Sequence, residues 1–364
     1  MGGAETLVKE YATKINLSKF DVTLLLLNRL DSPYEKIVSG RNINVIYVSD
    51  YLLKSKNFFT RKFNHFLRYF YVKKIIHSVS PDIIHTHIVT NTYIRFAKPK
   101  KRTKIFHTVH SEPQAYWGKG KWKKDYRAAK YLVKEYGMRF IALHDKMRLE
   151  INELFGVSDT IVLNNGIDFS RFENAKEKSI IRAEIAIPKN AFVLGHIGRF
   201  AEVKNHSFVV EIFKILSKKN ANAFLLLVGD GVLKTAVEKQ LKAEGLFDKC
   251  LILSHRTDIP DLLSAMDVFV FPSKYEGLGI SLVEAQKMGL PCIVSDTVPK
   301  FAQISNLVEW HSLSESAEKW AISICNFSVE KIEWNGLENW DIDLIVKQLE
   351  VIYEQCSNKT LLND

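Results

Sequence analysis

Short apolar runs rich in Val, Ile, Leu and Phe alternate with longer amphipathic runs along most of this chain. The short runs have the length and composition of buried strands, whereas the longer runs repeat apolar residues at the spacing of a helix. Strands that alternate with helices are typical of parallel sheets covered by helices. The pattern therefore predicts an α/β fold.

The predicted elements extend through both halves of the chain. In the first half the strands cover residues 21–27, 44–48, 82–86, 104–108, 139–143 and 160–163. In the second half they cover residues 192–197, 223–228, 250–253, 268–271 and 292–294. Helices are predicted between the strands, among them 5–15, 59–78, 207–218, 233–244, 259–265, 280–288 and 314–325.

The length of 364 residues predicts two domains, each large enough to bury a core of its own. A polar segment at 166–190 separates the two series of strands, and Pro188 lies near its end. We therefore expect a first domain at 1–170 and a second at 171–340.

The cysteines form neither a Cys-x-x-Cys pair nor the spacing of a metal site; they are Cys250, Cys292, Cys325 and Cys356. Buried thiols in a reducing compartment are the expected state. The longest uninterrupted apolar runs are far shorter than the roughly 20 residues of a spanning helix. These features predict a cytoplasmic protein without disulfides.

The formal charge of +10 is concentrated in the first part of the chain, where basic and aromatic residues are mixed at 54–74 and at 118–124. Such a mixture suits a helix or loop that lies on an anionic bilayer. It equally suits a solvated helix face whose aromatic residues pack into the core. Nucleic acid is not expected as a partner, because no DNA- or RNA-binding motif accompanies the charge.

The run 275–285, with the sequence YEGLGISLVEA, contains the most specific chemical pattern in the chain. It follows a predicted strand and enters a predicted helix, and open α/β sheets bind ligands at such strand ends. Gly277 and Gly279 leave backbone N–H groups and a positive helix end free to meet hydroxyl and phosphate oxygens. Together with Glu276 and Glu284, they predict a sugar-nucleotide site.

The longer stretch 264–295 closely resembles the donor-site signature of glycosyltransferase family 4, and more narrowly bacterial enzymes of exopolysaccharide or capsule synthesis. The resemblance implies the GT-B fold, in which two Rossmann-like doubly wound domains face an interdomain cleft. It implies an acceptor domain at 1–170, a donor domain at 171–340, and a helix within 341–364 that crosses back to the first domain. It also implies a retaining reaction that needs no metal and no cofactor besides the nucleotide-sugar donor.

Arg199 and Lys204 lie five positions apart in the run 195–205, which leaves a predicted strand and opens a helix. Two fixed cations at a strand end can stabilise the charge that develops on a leaving diphosphate. By resemblance these two residues are the diphosphate-binding cations of the family. A surface ion pair is the alternative interpretation for both.

The resemblance also assigns the two glutamates of the signature. Glu284 matches the residue that binds the ribose hydroxyls, and Glu276 matches the residue that faces the donor sugar. Their separation along a loop and a helix argues against an acid and nucleophile that flank one bond. The other residues that the resemblance places beside the nucleotide are Gly229, Arg256, Gly277, Leu278 and Gly279.

Several histidines end strands in the first half of the chain. By resemblance His110 is expected to contact the donor sugar or its phosphate, while His107 is expected to pack within its strand. His85 and His87 are two positions apart and could bind a metal. We expect no metal site, because no third ligand is evident.

Gly2 and Gly3 resemble the first Gly-rich loop of the family, which contributes to the donor site. In relatives that loop follows the first strand, whereas only Met1 precedes it here. A first strand is central in a doubly wound sheet, so its absence would leave both neighbouring strands without a partner. We therefore expect the natural chain to begin upstream of Met1.

The sequence predicts a retaining glycosyltransferase that moves a hexose or N-acetylhexosamine from a nucleotide sugar, expected to be a UDP-sugar. The expected acceptor is a lipid-linked saccharide at the inner face of the plasma membrane, with peripheral attachment of the protein there. One alternative is a nucleotide-sugar epimerase of the same fold, which would act on a UDP-sugar alone. Another is a non-catalytic subunit that binds sugar nucleotides and assists a partner transferase.

Overall fold

A computed structural model describes residues 3–29, 37–38, 40–41, 43–54, 57–118 and 122–358. The chain divides into two compact units. The first unit extends to Gly166 and resumes at Asn339, and the second unit comprises Ile167–Glu338. The boundary near the middle of the chain therefore lies at the start of the polar segment that separates the two series of predicted strands.

Short strands alternate with helices in both units, as the hydrophobic pattern predicts. The strands are β1 (Thr23–Leu26), β2 (Asn44–Tyr47), β3 (Ile83–His87), β4 (Lys104–Thr108), β5 (Arg139–Ala142), β6 (Ile161–Val162), β7 (Phe192–Ile197), β8 (Ala223–Val228), β9 (Cys250–Leu253), β10 (Val268–Phe271), β11 (Cys292–Ser295) and β12 (Val308–His311). The described helices are α1 (Gly3–Lys14), α2 (Phe58–Val79), α3 (Asn91–Ala97), α4 (Lys123–Tyr136), α5 (Asp145–Phe155), α6 (Ser170–Glu173), α7 (Lys178–Glu184), α8 (His206–Lys219), α9 (Lys234–Ala243), α10 (Ile259–Ser264), α11 (Ile280–Lys287), α12 (Ala317–Asn326) and α13 (Ile342–Asn358).

The described strands of the first unit form two parallel sheets. β1 pairs with β2, and the strands from β3 to β6 form a four-stranded sheet in chain order. None of the strands described joins the two sheets. This arrangement is expected when the central strand of a doubly wound sheet is not among the strands described.

The last helix, α13, packs in the core of the first unit. Its apolar residues Ile345 and Leu349 share a buried cluster with Leu7 of α1, Phe106 of β4 and Ile141 of β5. The cluster forms because α1 and α13 each present one apolar stripe to the sheet. The C-terminal segment from Asn339 is therefore part of the first unit.

The second unit, all of whose residues are described, is built on a six-stranded parallel sheet in the order β12-β11-β10-β7-β8-β9. The chain runs outward from β7 through β8 to β9, and then returns to place β10 on the other side of β7. The carboxyl ends of β7 and β10 therefore border the topological switch point, where open α/β sheets bind ligands.

Two glycines allow the elements around this switch point to approach closely. A Cβ atom at Gly195 in β7 would lie 1.9 Å from Sδ of Met266. A Cβ atom at Gly229, which follows β8 with φ of +154°, would lie 2.0 Å from the carbonyl oxygen of Gly198. A side chain at Gly229 would collide with the backbone, and one at Gly195 would require the Met266 side chain to move, so both positions favour glycine.

Cys250, Cys292 and Cys325 are free thiols, of which Cys292 is buried, Cys250 is half-buried and Cys325 is exposed, so the prediction of a buried thiol is wrong for Cys325. Burial raises the pKa of Cys292 well above its ordinary value, so this thiol stays protonated. The side chain of Cys356 lies outside the described part of the structure.

Candidate active site

The loops that follow β7 and β10 lie side by side in the second unit. The two strands are paired, with Val268 opposite Leu194. Beyond the strands, the backbone N–H of Lys274 donates to the carbonyl oxygen of Val203 at 2.8 Å, and Lys274 forms an ion pair with Glu202. These contacts join the loop of Arg199 and Lys204 to the loop of Glu276.

Lys204 and Glu276, 72 positions apart in the chain, form a largely buried ion pair. The Nζ atom of Lys204 donates to Oε1 of Glu276 at 2.6 Å, and the two side chains are 18% and 10% exposed. The same Nζ lies 4.9 Å from the ring centroid of Phe271, at the end of β10. The structure therefore brings two of the predicted site residues together and fixes the position of the ammonium group.

Arg199 lies between β7 and Lys204 and differs from Lys204 in its surroundings. It is exposed, and its side chain forms no ion pair with any described residue. A guanidinium without a carboxylate partner can bind the two oxygens of a phosphate group in a bidentate manner. The loop therefore presents one paired and one unpaired cation at the switch point.

Two histidines pack beneath this cationic loop. His196 in β7 bonds through Nδ1 to the carbonyl oxygen of Val270 at 2.9 Å, and the ring of His206 stacks on Phe200 with 4.1 Å between centroids. Burial, with a smaller effect of Lys204, lowers the pKa of His206 to about 4, and burial lowers the pKa of His196 well below its ordinary value. Both rings are neutral at pH 7. Sequence reasoning assigned neither of them, although a histidine inside an apolar strand is a signal of such packing.

The segment between Glu276 and α11 makes a tight turn. Gly279 has φ of +75° and caps the helix, and a Cβ atom there would lie 3.3 Å from Cβ of Ala302. Leu278, which the resemblance places in the donor loop, buries its side chain in the core at 5% exposure. Only its backbone is therefore available to a ligand, as is that of Gly277.

Glu284 lies in the second turn of α11 with its carboxyl group largely buried. Burial raises the pKa of Glu284 to about 7, and the nearby Arg171 lowers it by a smaller amount. Arg171, in α6, also donates from Nη2 to the carbonyl oxygen of Thr257 at 2.9 Å. Sequence reasoning missed Arg171, because no motif marks it within the polar segment that separates the domains.

Arg256, predicted to neighbour the base, forms a two-point ion pair with Asp258. The Nε atom donates to Oδ1 at 2.8 Å, and Nη2 donates to Oδ2. The Arg256 hydrogen bond lowers the pKa of Asp258, which is therefore ionised at pH 7. The guanidinium is thus already neutralised within its own loop, and its edge facing Asp258 is not available to a ligand.

In the first unit, His110 belongs to a chain of hydrogen-bonded and stacked side chains. Its Nε2 lies 2.9 Å from Nδ1 of His87, whose ring stacks on His85 at 4.4 Å between centroids. His85 in turn bonds through Nδ1 to the hydroxyl of Tyr353 at 2.6 Å and through Nε2 to Thr108 at 2.7 Å. The imidazole predicted to contact the donor is therefore oriented by neighbours on β3, β4 and α13.

All members of this histidine group are neutral at pH 7. Burial lowers the pKa of His110 to about 4 and the pKa values of His85 and His107 to about 3. His107 is 1% exposed and bonds to Thr86 at 2.8 Å, so the prediction that it packs within its strand is confirmed. Neutral imidazoles can each donate one proton and accept another, which suits hydroxyl groups better than a charged ligand.

The ring nitrogens of His85 bond to Tyr353 and Thr108, and His87 bonds to His110, so these two histidines do not form the metal pair that their spacing allows. Among the described residues, no group of three or more His, Cys, Asp or Glu side chains is arranged to bind a metal ion. The expectation of a metal-independent reaction stays a prediction.

Gly3 is the first residue of α1 and not part of a loop, and Gly2 lies outside the described residues.

Two family models together match most of the chain. Residues 1–171 match the model described as Glycosyltransferase Family 4, and residues 177–321 match the model described as Glycosyl transferases group 1. Each half of this chain thus matches a glycosyltransferase family model. The resemblance found in the sequence is therefore confirmed over both units.

Curated relatives of this chain carry names from polysaccharide synthesis. The UDP-Gal:alpha-D-GlcNAc-diphosphoundecaprenol alpha-1,3-galactosyltransferase of Escherichia coli is 32% identical over 234 residues, which are 61% of this chain and 60% of the relative. The capsular polysaccharide biosynthesis glycosyltransferase CapM of Staphylococcus aureus is 28% identical over 204 residues, or 52% of this chain and 53% of the relative. The chain thus spans little more than half the length of these two relatives.

Solved structures share the fold of the whole chain. HepE of Anabaena, in complex with UDP and glucose, superimposes with a TM-score of 0.71 at 17% identity, over 97% of this chain and 96% of that one. At this identity the likeness shows the fold. It confirms the predicted GT-B class of two Rossmann-like domains.

Proposed function

We propose that this chain transfers a hexose or N-acetylhexosamine from a UDP-sugar to a lipid-linked saccharide, with retention of anomeric configuration, in exopolysaccharide or capsule synthesis. The observation that carries the proposal is the set of side chains at the switch point of the second unit. There the ion pair of Lys204 and Glu276 lies on the loops beside the exposed Arg199, and Glu284 follows within α11. A ligand with a diphosphate, a ribose and a sugar ring matches each of these groups.

The cations match the diphosphate of the proposed donor. Arg199 would bind two phosphate oxygens, and Lys204 has three N–H donors, of which Glu276 takes one. Glu284 would accept the ribose hydroxyls, and its carboxyl group already lies in a largely buried position. The names of similar proteins support a uridine nucleotide, since the HepE structure contains UDP and glucose and the Escherichia coli relative is named for UDP-Gal.

In the proposed reaction, the bond between the anomeric carbon and the terminal phosphate oxygen breaks while the acceptor oxygen bonds to the same face of that carbon. The departing phosphate oxygen takes the proton of the acceptor hydroxyl. Arg199 and Lys204 stabilise the charge on the diphosphate, and Glu276 favours positive charge at the anomeric carbon. His110, neutral and oriented by His87, would donate to a hydroxyl of the donor sugar.

The name of the Escherichia coli relative, which includes a diphosphoundecaprenol-linked sugar, supports a lipid-linked acceptor. Such an acceptor stays in the bilayer, so the enzyme would work peripherally at the inner face of the plasma membrane. The described helices include none with the length and apolar character of a membrane span.

The test incubates the purified full chain with a panel of UDP-sugars, each with and without a lipid-linked GlcNAc acceptor. The expected result is a glycosylated lipid that carries an α-linkage from an α-configured donor, at equal rates with and without EDTA. A Glu276→Gln variant is the matched control and should lose transfer. Conversion of a UDP-sugar to its epimer without acceptor would overturn the proposal, and so would the absence of transfer and donor binding across the panel.

A further inference from the structure

A stripe of exposed phenylalanines runs along α2 of the first unit. Phe59, Phe63, Phe66 and Phe70 are each between 50% and 79% exposed. Their spacing of four, three and four positions places them within an arc of about 60° on the helix surface, at about 100° per residue. Four large apolar side chains on one solvent-facing stripe are unusual, since single exposed apolar residues are the common case.

The opposite face of α2 is the one that packs on the unit. Val72, Ile75 and Ile76 are buried, and Tyr69 packs on Tyr93 of α3 with 4.4 Å between ring centroids. The helix is thus anchored without any contribution from the stripe. The sequence allowed the aromatic residues of this segment to pack into the core, and for the stripe that interpretation is wrong because its four rings are exposed.

Lysines of α2 border the stripe, and the charges of the helix share one sign. The helix contains no Asp or Glu, and its exposed basic residues are Arg61, Lys62, Lys73 and Lys74. At helical spacing, Lys62 and Lys73 lie on one side of the stripe and Lys74 on the other, each within about 80° of its centre. An apolar stripe bordered by lysines matches a surface that is anionic outside and apolar beneath, which is the structure of an anionic bilayer.

We propose that α2 is an in-plane membrane anchor, with Phe59, Phe63, Phe66 and Phe70 inserted among the acyl chains of an anionic bilayer and the flanking lysines at the headgroups. The inference deepens the proposed function, and it rests on that function for the presence of a lipid-linked acceptor at the same surface. A second copy of the chain fits less well, because lysine is depleted from protein interfaces and two copies of this helix would bring like charges together. The second basic segment, 118–124, lies partly outside the described residues and does not contribute to the argument.

The test measures cosedimentation of the full chain with vesicles of phosphatidylcholine, with and without phosphatidylglycerol. The wild-type chain should bind the mixed vesicles and bind pure phosphatidylcholine much less. The double variant Phe59→Ser/Phe63→Ser should bind mixed vesicles at least about tenfold more weakly, because apolar burial in the interface is lost. Lys73→Gln/Lys74→Gln should weaken binding to the mixed vesicles but not to pure phosphatidylcholine vesicles. This loss of binding should be smaller at high salt.

Matched controls come from the second unit. Phe247→Ser removes another exposed phenylalanine, and Lys218→Gln/Lys219→Gln removes an exposed lysine pair of α8. Both should bind vesicles like the wild-type chain. All variants should keep the wild-type circular dichroism and melting temperature, because the changed side chains are exposed.

Two results would overturn the proposal. One is wild-type vesicle binding by the Phe59→Ser/Phe63→Ser variant, and the other is a phenylalanine-dependent dimer in sedimentation equilibrium with no vesicle binding. Transfer to a short-chain, water-soluble acceptor separates this inference from the proposed function. If α2 is the membrane anchor, the stripe variants keep transfer to the soluble acceptor while they lose vesicle binding. If the wild-type chain binds vesicles but transfers no sugar, the proposed function is contradicted and the anchor is not.

Discussion

Alanine substitutions at Arg199 and Lys204 test whether these two cations differ as the structure indicates. Both are expected to stabilise the leaving diphosphate, so each change should lower the turnover of the donor. Only Lys204, however, is part of a largely buried ion pair, with 2.6 Å between Nζ and Oε1 of Glu276. Arg199 is exposed and pairs with no described carboxylate. Both variants should therefore lose activity, whereas only Lys204→Ala should also lose stability.

The magnitudes follow from these surroundings. Loss of one charge-stabilising donor costs about 10²- to 10³-fold in turnover, and this applies to both variants. Removal of one partner of a fully buried pair costs about 3–5 kcal/mol, and the partial exposure of this pair reduces the expected loss to about 1–3 kcal/mol for Lys204→Ala. In a unit of this size that loss lowers the melting temperature by about 2–10 °C. Arg199→Ala should change stability by about 0.5 kcal/mol or less.

The assay compares nucleotide release from the UDP-sugar and the thermal unfolding of each variant. Lys274→Ala is the matched control, since Lys274 pairs with Glu202 on the same pair of loops but at greater exposure, and it should melt like the wild-type chain. In the double variant Lys204→Met/Glu276→Gln, stability should return toward the wild-type value without activity, because no unpaired charge remains. The reasoning fails if Lys204→Ala melts and turns over like the wild-type chain, or if Arg199→Ala is the less stable of the two.

Two further predictions follow from the pKa values. Glu284→Gln should raise the free energy of unfolding at pH 8 by about 1–3 kcal/mol, and should leave it unchanged at pH 4. Burial raises the pKa of Glu284 from 4.5 to about 7, so the wild-type chain loses stability as the pH rises through that interval. The neutral glutamine does not have this cost. The substitution should also weaken donor binding about tenfold or more, and calorimetry that found neither change would contradict the assignment. The first unit should lose stability as the pH falls from about 6.5 toward 4, by up to about 1.4 kcal/mol per pH unit for each of His85, His107 and His110. In this pH range these histidines bind protons in the unfolded chain, whereas their buried rings in the folded chain stay neutral. Hydrogen exchange at pH 7 and pH 5 should show faster opening of α13 at the lower pH, and unchanged protection there would refute this prediction.

The sequence predicts the strands of the second unit well where their apolar runs are continuous. The predicted ranges 223–228 and 268–271 coincide with β8 and β10, because strands covered on both faces contain apolar residues at every position. The edge strand β12 was not predicted. Its sequence, Val308–His311, alternates apolar with polar residues over only four positions, which is too short for a periodic signal.

The motifs likewise predict which residues of the second unit belong to the site, but not which of them contact each other. The pair of Lys204 and Glu276 joins positions 72 apart and forms because β10 returns to the side of β7. Strand order is a property of the folded sheet, and no local pattern encodes it. For the same reason no local pattern indicates that Arg171 lies near Glu284, or that His85 bonds to Tyr353 of the last helix.

The contact between Lys204 and Glu276 would also explain how one site binds both parts of the proposed donor, a diphosphate that needs a cation and a sugar ring that needs an anion. Glu276 alone would repel the phosphates of the donor, and Lys204 alone would disfavour positive charge at the anomeric carbon. With 2.6 Å between Nζ and Oε1, the two charges cancel for groups far from the pair. A group in direct contact with the ammonium or with the carboxylate still meets that single charge. Because the ammonium retains two N–H donors for phosphate oxygens, the carboxylate can stay beside the sugar ring without an additional protein partner. In the proposed complex, the ion pair would therefore hold the ammonium beside the diphosphate and the carboxylate beside the sugar ring of the donor.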